Sequence, residues 1–286
     1  MDRKRDFIPY GKQSIDQSDI DAVVEVLRGD LLTTGPIVDM FEKALADKVG
    51  ASNAVACSNG TTALHLAMIA AGIGPGDCVI VPSITFLATA NVVRYVGAEV
   101  VFSDVDSDTG LMSVENAESA YLKASGSGKN VKAIISVHLG GQCADPEALY
   151  KFANTNGLVL IEDACHALGT TYRVDSSELY QVGACIHSDF TTFSFHPVKT
   201  LTTGEGGAVT CKSHEMANVM RTARSHGMIR KPEAWLNKTA GIDEDGTPNS
   251  WYYEMHELGF NFRLTDFQCA LGINQLKKLS SFVSKR

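Results

Sequence analysis

The sequence predicts an α/β protein in which a mainly parallel, seven-stranded sheet lies between helices. Three observations predict it. Seven short apolar runs fall at 54–57, 78–81, 99–102, 132–137, 158–161, 190–195 and 208–211. Helical patterns separate most of them, at about 61–71, 85–96, 114–123 and 146–156. The rhythm is strand, glycine or polar turn, helix, and such alternation needs crossover connections that cover both faces of a parallel sheet. The last two runs, with Gly204-Glu205-Gly206-Gly207 between them, are too close for a helix and predict one antiparallel pairing.

Before the first strand, Ile20, Val23, Val24 and Leu27 recur at helical spacing and Gly29 supplies a stop. A turn at Leu32-Thr33-Thr34-Gly35-Pro36 leads to a second helical pattern of Val38, Phe41, Leu45 and Val49. From 229 to 255 the composition turns polar, with Pro232, Gly241, Gly246 and Pro248, which reads as a long surface excursion. A last helix is expected from Thr265 to about Leu279.

With 286 residues, 44 % of them hydrophobic and 20 % charged, the chain suits one large domain, or one with an appendage, and excludes a disordered tail protein. The net charge of −8 gives no reason to expect nucleic acid or an anionic membrane as partner. Seven scattered cysteines, with no C-x-x-C pair, argue against a disulfide framework or a zinc site and fit a reducing cytosol. No apolar signal core opens the chain, and no stretch approaches ~18 apolar residues. A soluble, cytoplasmic protein is the expectation.

Four segments carry chemistry. In Phe193-Ser194-Phe195-His196-Pro197-Val198-Lys199-Thr200, a lysine follows a buried strand. Burial lowers a lysine's pKa, and a neutral amine attacks an aldehyde to form a Schiff base. Leu158-Val159-Leu160-Ile161-Glu162-Asp163 is an apolar strand ending in a carboxylate, where open α/β sheets bind ligands. An aspartate there can keep a pyridine nitrogen protonated. Cys57-Ser58-Asn59-Gly60-Thr61-Thr62 is a strand, a small polar turn and a helix start, a phosphate cradle of backbone N–H and hydroxyl groups. It matches neither a Walker A loop nor a G-x-G-x-x-G fingerprint, so ATP and NAD lose ground. Pro82-Ser83-Ile84-Thr85-Phe86 places an aromatic where it can stack on a planar ring. Taken singly, each has a plainer reading: a surface lysine, a capping acid, a capped helix, a core phenylalanine.

In this order the segments resemble the fold-type I pyridoxal-phosphate aminotransferases, and more narrowly the DegT/DnrJ/EryC1/StrS sugar aminotransferase family. The resemblance runs from Leu31-Leu32-Thr33-Thr34-Gly35-Pro36 to Gly259-Phe260-Asn261-Phe262-Arg263-Leu264. Within the family, 194–199 and Arg224-Ser225-His226-Gly227-Met228 look most like transaminases acting on UDP-4-keto-6-deoxy-N-acetylhexosamines of the pseudaminic acid route.

The resemblance implies roles. Lys199 would hold pyridoxal 5'-phosphate as a covalent aldimine and shuttle a proton, and Asp163 would pair with the ring nitrogen. Phe86 would stack on the ring, Gly60, Thr61 and Ser194 would hold the phosphate, and His166 would lie near the ring's 3-oxygen. Asn261 would reach the partner's phosphate in a homodimer. Thr33 and His196 would approach the sugar. L-Glutamate would donate the amino group, and the product would serve surface-glycan biosynthesis. Sugar dehydratases of this kind carry histidine at the aldimine position, so Lys199 favours amino transfer.

The expected division is an N-terminal helix and active-site loop at 1–35 and a cofactor-binding large domain at 36–286. Family members usually continue into a small C-terminal domain, so that domain is expected to be absent or truncated here. Three alternatives stay open: a non-catalytic or truncated dimer of the same fold, a related 3-keto sugar aminotransferase, and an unrelated phosphate-binding α/β enzyme that leaves Asp163 and Lys199 unexplained. Arg224, Arg230 and Arg263 could grip a diphosphate, with ion-paired roles equally open. His65 reads as a packed or surface residue and the cysteines as small core hydrophobes, with only Cys165 near the proposed site.

Overall fold

The structure, a computed structural model, describes residues 11–174 and 178–286. Residues 1–10 of the expected N-terminal segment lie outside the described residues. Two helices open the chain, α1 (Gln17–Arg28) and α2 (Pro36–Val49). Next come β1 (Asn53–Cys57), α3 (Gly60–Ala70), β2 (Asp77–Pro82), α4 (Leu87–Tyr95) and β3 (Glu99–Ser103). The middle holds α5 (Val114–Gly126), β4 (Asn130–Val137), α6 (Pro146–Thr155) and β5 (Val159–Asp163). A hairpin of β6 (Thr171–Val174) and β7 (Glu178–Gln181) precedes β8 (Phe190–Ser194), β9 (Gly207–Cys211) and α7 (His214–Arg224). The chain ends in β10 (Met228–Ile229), α8 (Lys238–Gly241), β11 (Glu254–Met255), α9 (Asp266–Lys277) and α10 (Leu279–Lys285).

The main sheet has seven strands in the order β1-β9-β8-β5-β4-β2-β3. Only β9 runs against its neighbours, pairing antiparallel with both β1 and β8. That is the antiparallel pairing expected from the short connection at 204–207. Both faces are covered, so the strands read as continuous apolar runs. Val79, Val81 and Ile135 pack with α3, α4 and α7, whereas Ile80, Ile134 and Leu160 pack with α5 and α6. Phe41 of α2 meets Phe195 edge-on at 5.4 Å on that second face, beside residues of α9 and α10.

Register places the site. Asp163 closes β5 opposite Val137 and Thr192. Ser194 closes β8 opposite Gly207, and Cys57 closes β1 opposite the same glycine. The carboxyl ends of β1, β5 and β8 therefore converge on one rim.

Long-range polar clasps lock the outer elements. Asp19 in the first turn of α1 is fully buried and accepts from Asn274 Nδ2 and Gln275 Nε2, both at 2.8 Å, and from Lys278 Nζ at 2.5 Å. Glu42 accepts from Ala56 N and from Arg221 and Arg224, whose guanidinium groups also donate to Ala54 O and Ala56 O. These side chains satisfy the outer edge of β1, which a bare edge strand would leave open. Arg224 thus takes the ion-paired role and not a grip on a diphosphate.

Three expectations change. The excursion at 229–255 is folded: Trp235 is buried, donates from Nε1 to Ile229 O and meets Tyr252 edge-on at 4.8 Å. The last helix is two, because the chain bends at Lys278. Helix α7 and the β6–β7 hairpin had no counterpart in the expectations. Among the described residues no helix is long and apolar enough to cross a membrane.

Candidate active site

A cleft of about 440 Å³ opens over the convergent strand ends. Eight of the ten expected site residues line it: Gly60, Thr61, Phe86, Asp163, His166, Ser194, His196 and Lys199. Thr33 and Asn261 do not line it. Thr33 is exposed and bridges to Thr265, and Asn261 is exposed and bridges to Ser225.

The floor at one end is the start of α3. Asn59 caps it by accepting from Thr62 N at 2.9 Å, while Thr62 Oγ1 accepts from Asn59 N at 3.1 Å. The N–H groups of Gly60 and Thr61 stay at the open end, where the helix dipole favours an anion. A Cβ on Gly60 would lie 2.8 Å from Ser194 Cβ and 3.1 Å from Cys165 Sγ. A Cβ on Gly207 would lie 2.3 Å from Asn59 O. Glycine at both positions lets β9 and Ser194 close around the cradle.

Asp163 is buried at the opposite side. Its Oδ1 accepts from Cys165 N at 3.2 Å and its Oδ2 from Thr89 Oγ1 at 2.8 Å. Thr89, on α4, was not among the expected residues; Thr85 lies in the turn just ahead of that helix. Phe86 stands just ahead of α4 with 69 % of its surface exposed, so the core-packing alternative falls away.

Lys199 is half-buried. Its loop is held at both ends: Phe195 N donates to Gly206 O, and Thr203 N and Thr202 Oγ1 both donate to Phe195 O. Arg286 donates to the carbonyls of Val198 and Lys199 at 3.0 and 2.5 Å. His166 Nδ1 accepts from Gly140 N at 3.2 Å. Burial, and then the Lys199 ammonium, hold its pKa below the ordinary histidine value, so the neutral ring carries its proton on Nε2. Burial and the Asp163 charge push the Cys165 thiol well up, which leaves it a poor nucleophile.

Beneath the floor, on the other face of the sheet, Glu162 and His138 form a buried pair with Nε2 and Oε1 at 3.2 Å. Ser188 and Thr191 hydroxyls donate to Glu162 Oε2, and Ala144 N donates to His138 Nδ1. This pair also went unread in the sequence.

An amine, a strand-end carboxylate, a bare aromatic face and an anion cradle in one cleft fit a phosphorylated aromatic aldehyde with a basic ring nitrogen. The cradle that a Cβ on Gly60 would fill is the structural feature that suits the phosphate.

Comparison with known proteins agrees. The chain is 38 % identical over 286 residues to the spore coat polysaccharide biosynthesis protein SpsC of Bacillus subtilis, covering 100 % of this chain and 68 % of SpsC. It is 39 % identical over 279 residues to the UDP-4-amino-4,6-dideoxy-N-acetyl-beta-L-altrosamine transaminase of Campylobacter jejuni, covering 98 % and 66 %. The PLP form of the putative sugar aminotransferase Spr1654 from Streptococcus pneumoniae superposes with a TM-score of 0.80 at 29 % identity, over 96 % and 67 % of the two chains. The chain therefore spans about two thirds of the length of the relatives it matches. The profile of one family, described as DegT/DnrJ/EryC1/StrS aminotransferase, matches residues 13–286, and with the cleft arranged as above the chain belongs to that family.

Proposed function

We propose that this chain forms the pyridoxal-phosphate site of an aminotransferase that moves the amino group of L-glutamate to a nucleotide-linked 4-keto-6-deoxy sugar. The sugar class is a UDP-N-acetylhexosamine derivative, and the product serves surface-glycan synthesis. The observation that carries the reading is the meeting of Lys199, Asp163 and the start of α3 in one cleft. The similarity to the Campylobacter jejuni transaminase supports the substrate class.

Bound pyridoxal phosphate supplies an electron sink that stabilises negative charge at the carbon losing a proton. The chain's own residues do the rest. Lys199 Nζ anchors the cofactor and then takes up and returns the proton at the reacting carbon. Asp163 holds a proton on the ring nitrogen, and Phe86 covers one ring face. The N–H groups of Gly60 and Thr61 with the Ser194 hydroxyl bind the phosphate, and His166 Nε2–H donates toward the ring's 3-oxygen. His196, exposed at the mouth of the cleft, is the residue offered to the sugar, whereas Thr33 lies outside this cleft and would have to approach the sugar from beyond it.

A homodimer is part of the same reading. Phe260 and Phe262 stack at 4.7 Å and pack against His65 of their own chain. Asn261, between them and exposed outside its own cleft, is then available to a partner's phosphate. All seven cysteines are free thiols, which supports a reducing, cytoplasmic setting.

The test is turnover. With pyridoxal phosphate and L-glutamate, the protein should aminate a UDP-4-keto-6-deoxy-N-acetylhexosamine and release 2-oxoglutarate. Preferential amination of a 3-keto sugar would move the substrate class, and failure to retain the cofactor would refute the reading.

A further inference from the structure

Behind Asp163 stands a row of two hydroxyls. Thr89 is fully buried on α4, and its Oγ1 donates to Asp163 Oδ2 at 2.8 Å. Thr85 Oγ1 lies 2.8 Å from Thr89 Oγ1, and Thr85 itself lines the cleft. A carboxylate only accepts, so the single Thr89 proton is committed to Asp163. Thr89 must then accept from Thr85, and the Thr85 proton is committed in turn. Directionality therefore runs from the cleft wall to the carboxylate. Thr85 is left to offer the cleft lone pairs and no proton.

We propose that Thr85 and Thr89 form a positioning relay for Asp163, which fixes the carboxylate's rotation and makes Thr85 an acceptor-only wall of the cofactor site. With Cys165 N on Oδ1 and Thr89 on Oδ2, each oxygen has one lone pair tied to the protein. The remaining pairs are held in one orientation toward the cleft. Charge-assisted hydrogen bonds of this kind carry orientation as well as energy. Serine at position 89 would keep the hydroxyl, whereas valine would keep the shape and lose it.

The inference rests on the cofactor reading above, and the experiment separates the two. Dissociation constants are measured for pyridoxal phosphate and for its 1-deaza analogue, whose ring lacks the nitrogen. The parent chain should prefer pyridoxal phosphate. Thr89→Val should shrink that preference about tenfold, the weight of one hydrogen bond to a charged group, with the analogue's affinity unchanged. Thr85→Val should shrink it less, and Thr89→Ser should restore it. A purely structural role would weaken both ligands alike, and an unaltered preference in Thr89→Val overturns the relay. Equal affinity of the parent chain for both ligands overturns the cofactor reading and the relay with it. Should Thr89→Val unfold, Thr85→Val decides: an unchanged preference there refutes the relay, and a reduced one supports it.

Discussion

Gly60 and Ser194 face each other so closely that a single methyl group on Gly60 would stand 2.8 Å from Ser194 Cβ. The contact joins the start of α3 to the end of β8, and so joins the phosphate cradle to the strand that leads to Lys199. Gly60→Ala should displace Ser194 at a cost of about 1–3 kcal/mol, the usual range for overpacking. Cofactor affinity should fall about tenfold or more, and thermal unfolding measured with and without pyridoxal phosphate should show most of the ligand-induced stabilisation gone. Unchanged stabilisation by the ligand would mean that the cradle lies elsewhere.

The pair of His138 and Glu162 predicts a stability effect without direct contact with the cleft. Burial pushes the Glu162 carboxyl up, but the His138 ring and the Thr191 and Ser188 hydroxyls outweigh it and leave its pKa below the ordinary value. Removing the ring should strand a buried carboxylate. His138→Ala should therefore cost about 3–5 kcal/mol in chemical denaturation, and the double variant His138→Leu with Glu162→Leu should recover much of that loss. A group held low stabilises the fold above its unfolded pKa, so this contribution should decline as acid is added below about pH 4.5. A small loss in His138→Ala would show that Glu162 is not held as a buried carboxylate by the ring.

The arm at 232–256 should open in acid. Glu254 accepts from Leu236 N at 2.7 Å, Asn237 N at 2.8 Å, Tyr252 Oη at 3.0 Å and His256 Nε2 at 2.6 Å. Burial alone would raise its pKa, but these four donors bring it from 4.5 to about 2. The stabilisation is present above the unfolded value and disappears as pH falls through the folded one. Protection of the Leu236 and Asn237 amides, taken as the exchange rate relative to that of an open amide at the same pH, should stay high at pH 5 and collapse near pH 2. Loss of protection already at pH 5 would contradict the assignment.

Asn261 gives a complementation experiment. If it serves the partner's cleft, Lys199→Ala and Asn261→Ala chains should both be poor as homodimers at limiting cofactor. Mixed after dissociation, they should form heterodimers with one complete site and recover about a quarter of parental activity from random pairing. A mixture no better than its components would place Asn261 in its own cleft or in no cleft.

The strands were legible because each is an apolar run stopped by glycine or a polar turn, and buried parallel strands leave no alternative pattern. The placement of Asp163 and Lys199 in one cleft was legible for the same reason: Asp163 ends one apolar run, and Lys199 follows in the loop after another. Helix α7 escaped because its buried face is only Ala217, Met220 and Ala223 in an otherwise charged segment, so its low overall hydrophobicity reads as solvated surface. The arm escaped because its order comes from Glu254 and Trp235, whose partners lie across a polar stretch without pattern. Partners far apart in sequence were invisible altogether. Glu42 and Arg224 are 182 positions apart, and Thr89 reaches Asp163 across 74, so only the folded chain brings them together.

On this reading the Lys199 amine is the group that binds the cofactor. Borohydride reduction of the pyridoxal-phosphate-loaded protein, followed by digestion and peptide mass analysis, tests it most directly. A phosphopyridoxyl group on the peptide containing Lys199, absent from Lys199→Ala, is the result expected. Label on another lysine, or equal labelling of Lys199→Ala, would contradict it.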